Sequence, residues 1–173
     1  MSKTPLMELH ERARAGDLDA MALTAVVAAV GVGEPASWST AIERLGQAAK
    51  LGSAFADAQL TVLSETGLDD RAPRFAPQPL ASDPPIYSLP GFVPKAACDW
   101  LISRATGRLG KSATYNEETG ETRFHTNRTN SSAAFSFRDF DLVIVAIRAR
   151  IAAATGSRPE WLEPPPGDAL CAR

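Results

Sequence analysis

The chain has 173 residues, a formal net charge of −2 and 45% hydrophobic residues, which is enough for one ordinary domain or two small ones with an apolar core. Its lysines and arginines are scattered and form no basic stripe, so nucleic acid is not an expected partner. No apolar run reaches the length of a signal-peptide core or the roughly 20 residues of a membrane span. These features predict a soluble cytoplasmic protein without a membrane partner.

The two cysteines, Cys98 and Cys171, are far apart, and neither belongs to a C-x-x-C or Cys/His pair. Zinc sites and redox sites need such pairs. We therefore expect a buried Cys98 and a loose terminal Cys171, neither with a chemical role.

Residues 1–68 are rich in alanine, leucine and valine and predict helices. Apolar residues recur there at three- and four-residue steps and form one face on each of two helices: Leu18, Met21, Ala22, Ala25 and Ala29 on the first, and Ile42, Leu45, Ala48 and Ala49 on the second. The segment 31–38 separates the two. Ser37 or Ser39 is expected to cap the start of the second helix, and Gly52 is expected to end it.

These helices contain a weak internal repeat. The stretch ARAGDLDAMAL (13–23) is similar to AKLGSAFADAQL (49–60) when a two-residue insertion is allowed, and Gly16 and Gly52 are 36 positions apart. Such a period is typical of helix-turn-helix repeat arrays. The pattern resembles Sel-like tetratricopeptide-type repeats, whose second helix carries A-A-x-x-G. That resemblance implies a docking surface for a protein partner, although any alanine-rich helical hairpin would show the same spacing.

Residues 69–85 contain five prolines, which lack a backbone donor, so this segment is predicted to be a linker. Residues 86–163 then predict a mixed unit: a strand over 86–93, a helix over 94–109, two strands within 112–137, and a helix over 139–156 that begins at Asp139 or Asp141 and ends at Gly156. Residues 164–173 form a tail. The predicted fold class is helix-rich α+β.

Taken in order, residues 86–163 resemble the opening of a prolyl 4-hydroxylase-like dioxygenase. The matching stretches are an apolar step at Gly91, Phe92 and Val93, a helix with Cys98-Asp99-Trp100-Leu101-Ile102, a strand with Arg128-Thr129-Asn130-Ser131, a helix with Asp141, Val143, Ile147, Arg150, Ile151, Ala152, Thr155 and Gly156, and finally Glu163. No single motif is specific; their order over nearly eighty residues carries the resemblance. Bacterial members with Sel-like repeats ahead of this domain are a known arrangement.

The resemblance implies hydroxylation of an unactivated C–H bond by iron(II), oxygen and 2-oxoglutarate, with ascorbate as a further family cofactor. The family holds iron with His-x-Asp and a second histidine, all after the position of Glu163. Residues 164–173 contain no histidine, and three prolines follow Glu163. The expectation is therefore a chain truncated or frame-shifted before its metal ligands, which binds none of these cofactors and is inactive alone.

The resemblance also implies an incomplete double-stranded β-helix, because nearly all of its eight main strands would follow residue 163. Without that sheet, Phe135, Phe137, Val143 and Ile147 are expected to be partly exposed and to promote aggregation.

The candidate site residues are those that match the family's substrate groove: Arg128, Asn130, Ser131 and Glu163. A guanidinium and short polar groups suit an extended peptide backbone, but a polar strand that satisfies its own neighbours is an equal alternative. His125, with Asn127 in place of the aspartate of His-x-Asp, is a poor iron ligand pair, because a neutral amide is a weak donor to a hard cation. No catalytic or metal-binding residue is assigned.

Two functions follow from these patterns. The first is the leading part of a prolyl 4-hydroxylase-like dioxygenase, preceded by a Sel-like helical region. The second is a non-enzymatic helical-repeat interaction module whose C-terminal α/β segment is vestigial.

Overall fold

A computed structural model describes residues 3–69, 76–111, 114–115, 120, 122–123, 130–133 and 135–162. Six α-helices and three two-stranded antiparallel sheets lie in these ranges, which agrees with a helix-rich α+β class. None of the helices described is long and apolar enough to cross a membrane.

The N-terminal region contains four helices, where apolar spacing predicted two. They are α1 (Pro5–Arg14), α2 (Leu18–Val30), α3 (Trp38–Lys50) and α4 (Ala54–Thr66). Ser37 is the N-cap of α3 and accepts a hydrogen bond from the Thr40 backbone N–H. Of the two alternative caps predicted, Ser37 and Ser39, the first is therefore confirmed. The chain turns at Gly52 directly after α3, also as predicted.

The turns between α1 and α2 (15–17) and between α3 and α4 (51–53) have the same geometry. Gly16 and Gly52 lie at their centres with φ of +88° and +100°, a left-handed region that other residues rarely adopt. Three of the backbone hydrogen bonds that close the first turn recur in the second, each 36 positions further along the chain. The internal repeat is therefore a repeat of structure.

Helices α2 and α4 correspond position by position. Each has 13 residues, begins at a side-chain N-cap (Asp17 or Ser53) and ends at a left-handed glycine (Gly31 or Gly67). All of these positions are offset by 36, so the two-residue insertion that the sequence comparison allowed is not needed. Together the four helices form two successive helix-turn-helix units.

The segment predicted as a linker contains a strand. Strand β1 (Gln78–Ser82) pairs antiparallel with β2 (Pro85–Ser88), with Gln78 opposite Ser88 and Ser82 opposite Pro85. Both strands are almost entirely exposed, including Leu80 and Tyr87. The prolines are tolerated because the sheet has only two strands, each with a free edge.

After the hairpin come α5 (Lys95–Ala105), four two-residue strands and α6 (Leu142–Thr155). Strand β3 (Gly110–Lys111) pairs with β6 (Ser131–Ser132), and β4 (Thr114–Tyr115) pairs with β5 (Thr122–Arg123). The sequence had predicted α5, two strands within 112–137, and α6. Asp141 is the N-cap of α6 and Gly156 is its left-handed C-cap. Of the two alternative caps predicted, Asp139 and Asp141, the second is therefore correct, and so is the predicted end of the helix.

Helix α6 packs across α2 and α4, and α5 packs against α4. One apolar core therefore contains residues from both sides of the proline-rich segment. The expected partial exposure is wrong for three of the four C-terminal apolar residues: Phe137 is 7% exposed, Val143 0% and Ile147 7%. Phe135 is partly exposed, as expected. The second helices of the two repeat units cover α6, so its burial does not depend on a large sheet.

Candidate functional site

Of the four predicted groove residues, the structure describes only Asn130 and Ser131. Arg128 and Glu163 lie outside the described residues, as does His125. Asn130 and Ser131 are exposed, and Ser131 pairs with Lys111 at the edge of the sheet formed by β3 and β6. Neither of them lines the clefts described below.

Other residues of the family-like motifs do converge, around the buried carboxylate of Asp141. The Trp100 indole Nε1 donates to Asp141 Oδ2 over 3.0 Å, and Arg104 Nε donates to the same oxygen over 3.2 Å. Asp141 Oδ1 accepts from the Ile144 backbone N–H over 2.9 Å. The Asp141 side chain is 0% exposed, and this burial raises its pKa although all three donors favour the ionised form. The carboxylate thus locks α5 to the start of α6.

Helix α4 of the second repeat unit completes this cluster. The Phe55 ring stacks on Trp100 with centroids 5.6 Å apart, and the Arg104 guanidinium lies 4.8 Å from the centroid of the Phe55 ring. The buried Gln59 side chain accepts from the Leu142 backbone N–H over 2.9 Å. This bond satisfies one of the free N–H groups in the first turn of α6. The repeat region therefore positions the helices that follow it.

A second link joins the other matched motifs. Arg150 on α6 donates from Nη1 to the Phe92 carbonyl oxygen over 3.1 Å, so the apolar step before α5 is attached to the α6 motif. The Arg150 Nε is buried without a hydrogen-bond partner in the described part of the chain. Cys98 is half-buried, less than expected, and its Sγ lies 3.7 Å from the Val93 carbonyl oxygen. Cys171 lies outside the described residues.

A cleft of about 340 Å³ opens beside the Asp141 cluster, between the repeat helices and the C-terminal helices. A second cleft of about 270 Å³ adjoins it on the side of α1. Both are lined by Asp19, Leu23 and Arg138, so together they form one groove that crosses α2 near its first turn. Five of the nine residues that line the first cleft are polar or charged: Asp19, Gln59, Arg104, Arg138 and Asp139.

Asp139 at the edge of this cleft forms an ion pair with Arg108, with Arg108 Nη2 2.9 Å from Asp139 Oδ2. The Arg108 hydrogen bond, with further bonds from Ser136, lowers the pKa of Asp139 to about 2. Because the folded-state pKa lies below the ordinary value of 3.8, the ionised carboxylate stabilises the folded chain above about pH 4, and this stabilisation is lost as the pH falls toward 2.

We expect Asp139→Asn to lower the free energy of unfolding by about 1 kcal/mol at neutral pH, since the pair is partly exposed and screened by water. The difference from the unmodified chain should shrink below about pH 4 and vanish near the folded-state pKa. Urea denaturation followed by circular dichroism over this pH range measures it. A difference that stays constant with pH would contradict the assignment of the effect to the Asp139 carboxylate.

Sequence reasoning did not single out Phe55, Gln59 or Arg104, although the first two lie in the repeated stretch 49–60. One signal was present: at an offset of 36 positions Gln59 corresponds to Leu23, so a polar side chain stands where the first unit has an apolar one. A buried polar group needs a partner, and here that partner is 83 positions away. Its identity could not be read from the sequence.

The donor set of the described residues does not fit an iron site. No three histidine, cysteine, aspartate or glutamate side chains come together in the described ranges to hold a metal ion. Of the two histidines, His10 lies on α1 and His125 lies outside those ranges. No family model, curated protein or solved structure matches this chain.

Proposed function

We propose that this chain supplies the leading, partner-docking part of a prolyl 4-hydroxylase-like dioxygenase. The helical repeats would bind a protein partner, and residues 86–163 would correspond to the start of the oxygenase domain. The observation that carries the proposal is the Asp141 cluster. It joins two stretches that were matched to the family separately, Cys98–Ile102 and the α6 motif, through the bond from Trp100 to Asp141.

The bond from Arg150 to Phe92 supports the same proposal, because it connects the α6 motif to the apolar step at 91–93. Residues matched only by their order along the chain are thus in contact in space.

The chemistry of the family is not assigned to any residue here. Iron(II), 2-oxoglutarate and ascorbate are the cofactors that the resemblance implies, and the donors of the described residues do not fit the metal. A facial triad needs two histidines and a carboxylate on one face, and His-x-Asp does not occur among the 173 residues. We derive no catalytic step from these side chains.

Purified chain should release no carbon dioxide from carboxyl-labelled 2-oxoglutarate when iron(II), ascorbate and proline-containing peptides are added. The described residues bring no iron-binding donor set together, and the sequence contains no His-x-Asp pair. In a titration of iron(II) against a competing chelator, the unmodified chain should bind no more iron(II) than His125→Ala does. Turnover that depends on iron(II), and that His125→Ala abolishes, would contradict this assignment.

The family assignment itself is tested at the gene. The DNA after codon 163, read in all three frames, should encode an apolar strand, a His-x-Asp pair and a later histidine. A downstream sequence without His-x-Asp in any frame would count against the family.

A non-enzymatic interaction module is the second candidate, and the repeated geometry of α1–α2 and α3–α4 favours it independently. Arrays of this kind commonly supply binding surfaces. A stoichiometric partner isolated with the full chain would support this candidate if the gene encodes no iron ligands downstream.

A further inference from the structure

The groove between the repeat helices and the C-terminal segment has charged groups of opposite sign at its two ends. Glu8 on α1 lines one end, Arg104 on α5 lines the other, and Asp19 and Arg138 line the stretch where the two clefts meet. Arg12 and Asp139 also line the groove, but their charges are compensated by ion pairs with Asp17 and Arg108. Glu8, Asp19 and Arg138 are exposed and form no ion pair within the described residues. Their charges are therefore available to a ligand.

Arg104 is held in place at the basic end. Its Nε donates to Asp141, its Nη2 donates to the Asp139 carbonyl oxygen over 2.7 Å, and its guanidinium lies over the Phe55 ring. Its Nη1 donates to no group among the described residues. A guanidinium fixed in this way loses little conformational entropy when it binds a carboxylate, and such bonds are stronger than bonds between neutral groups.

The shape and lining of the groove favour a peptide over a compact small molecule. Small-molecule sites are mostly apolar with few polar groups, whereas this groove extends over two clefts and carries polar side chains along its length. An extended peptide offers backbone donors and acceptors along its whole length, together with side-chain charges that can match both ends.

We propose that this groove binds an extended peptide segment of a protein partner, with an acidic residue of the peptide held by Arg138 and Arg104 and a basic residue held by Glu8 and Asp19. The proposal rests on the docking function proposed above and names its site and the chemistry of its ligand. Arg138 is the main anchor, because Asp141 already compensates part of the charge of Arg104.

The test begins with selection of peptides from a phage-displayed random library on the immobilised full chain. Selected peptides should carry an aspartate or glutamate with a lysine or arginine a few positions away. Synthetic labelled copies are then titrated by fluorescence anisotropy. Arg138→Glu should weaken their binding about tenfold or more, because a charge-assisted bond is replaced by repulsion. Added salt should weaken binding to the unmodified chain.

Charge reversal on the peptide makes the test specific. A peptide whose acidic residue is replaced by lysine should bind Arg138→Glu more tightly than the unmodified chain. Asp19→Lys should reduce the affinity for peptides that keep their basic residue. Arg14→Glu is the matched control: Arg14 is exposed on α1 and lines neither cleft, so it should change affinity less than about twofold. Circular dichroism confirms that all variants are folded.

The outcomes separate this proposal from the docking function. Selected peptides that bind Arg138→Glu and Arg14→Glu equally well would overturn the groove as the site, while docking elsewhere on the chain would stand. Failure to select any peptide from the library would overturn the peptide proposal. In that case, a partner protein that binds the full chain and Arg138→Glu alike would still support docking.

Discussion

Replacing Asp141 with alanine should lower the free energy of unfolding by about 3 kcal/mol. The change removes the N-cap of α6, which alone costs about 1 kcal/mol, and leaves the Trp100 N–H and the Arg104 guanidinium without their shared acceptor. Urea denaturation at neutral pH, followed by tryptophan fluorescence, measures the loss.

Asp17→Ala is a matched control, because Asp17 is the N-cap of α2 and pairs with Arg12 in the same way that Asp141 caps α6 and pairs with Arg104. The Asp17 side chain is 33% exposed, so water can replace its bonds. This variant should therefore lose clearly less stability than Asp141→Ala. Equal losses at the two caps would show that the buried contacts of Asp141 contribute little.

Asp141→Asn separates hydrogen bonding from charge, since asparagine also caps helices and accepts hydrogen bonds. It should cost much less than alanine. Burial raises the pKa of Asp141 above its ordinary value of 3.8, so the unmodified chain loses stability as the pH rises from about 4 through the folded-state pKa. The asparagine variant does not titrate there, and its deficit should shrink over that interval. A deficit that grows with pH would contradict a raised pKa.

Local signals predicted the helix ends correctly. Ser37, Asp141 and Gly156 lie where cap preferences expect them, because a cap depends on bonds within one turn of the chain. The apolar face predicted for α2 accounts for only part of the residues that this helix buries. Residues are buried on most sides of this helix, since α1, α3 and α6 all pack against it, and helical periodicity marks only a single buried face.

Burial of α6 depended on contacts that no local pattern contains. The family resemblance predicted that α6 packs against a sheet, whereas in the structure α6 packs against α2 and α4. The sequence of α6 is apolar nearly all round, which indicates a buried helix without identifying its neighbours. The groove shows the same limit: Arg138 and Asp19 are unremarkable in sequence, and the fold brings them to one surface from positions more than 100 residues apart.

The site residues predicted from sequence were those with a family pattern. In the described structure Ser131 is exposed on a two-residue strand and Asn130 is exposed directly before it. The polar composition of that strand agrees equally with a groove wall and with a solvated edge. By contrast, Trp100 was named only as part of the resemblance and Asp141 only as part of it and as a possible helix cap, yet these two residues form a bond across 41 positions. The order of the motifs along the chain identified these two residues but did not predict that they are in contact.

The shared core predicts that the repeat helices and the C-terminal helices unfold together. Leu142→Ala should lower the free energy of unfolding by about 3 kcal/mol, because Leu142 is 0% exposed in this core and alanine leaves a cavity. The chain should still show one cooperative transition, at a lower denaturant concentration. Ile102→Ala, at a position 64% exposed on α5, should change stability by less than about 0.5 kcal/mol.

Hydrogen exchange extends this test to the repeat region. Helices α2 and α4 pack on α6, and the Leu142 N–H donates to Gln59 of α4. If the two regions form one cooperative unit, Leu142→Ala should speed amide exchange in α2 and α4 about as much as in α6. Faster exchange confined to α5 and α6, or two separate transitions, would mean that residues 1–68 fold independently. The repeat units would then bind partners without the C-terminal helices, whereas a coupled core makes a groove shared by both regions an integral part of the folded chain.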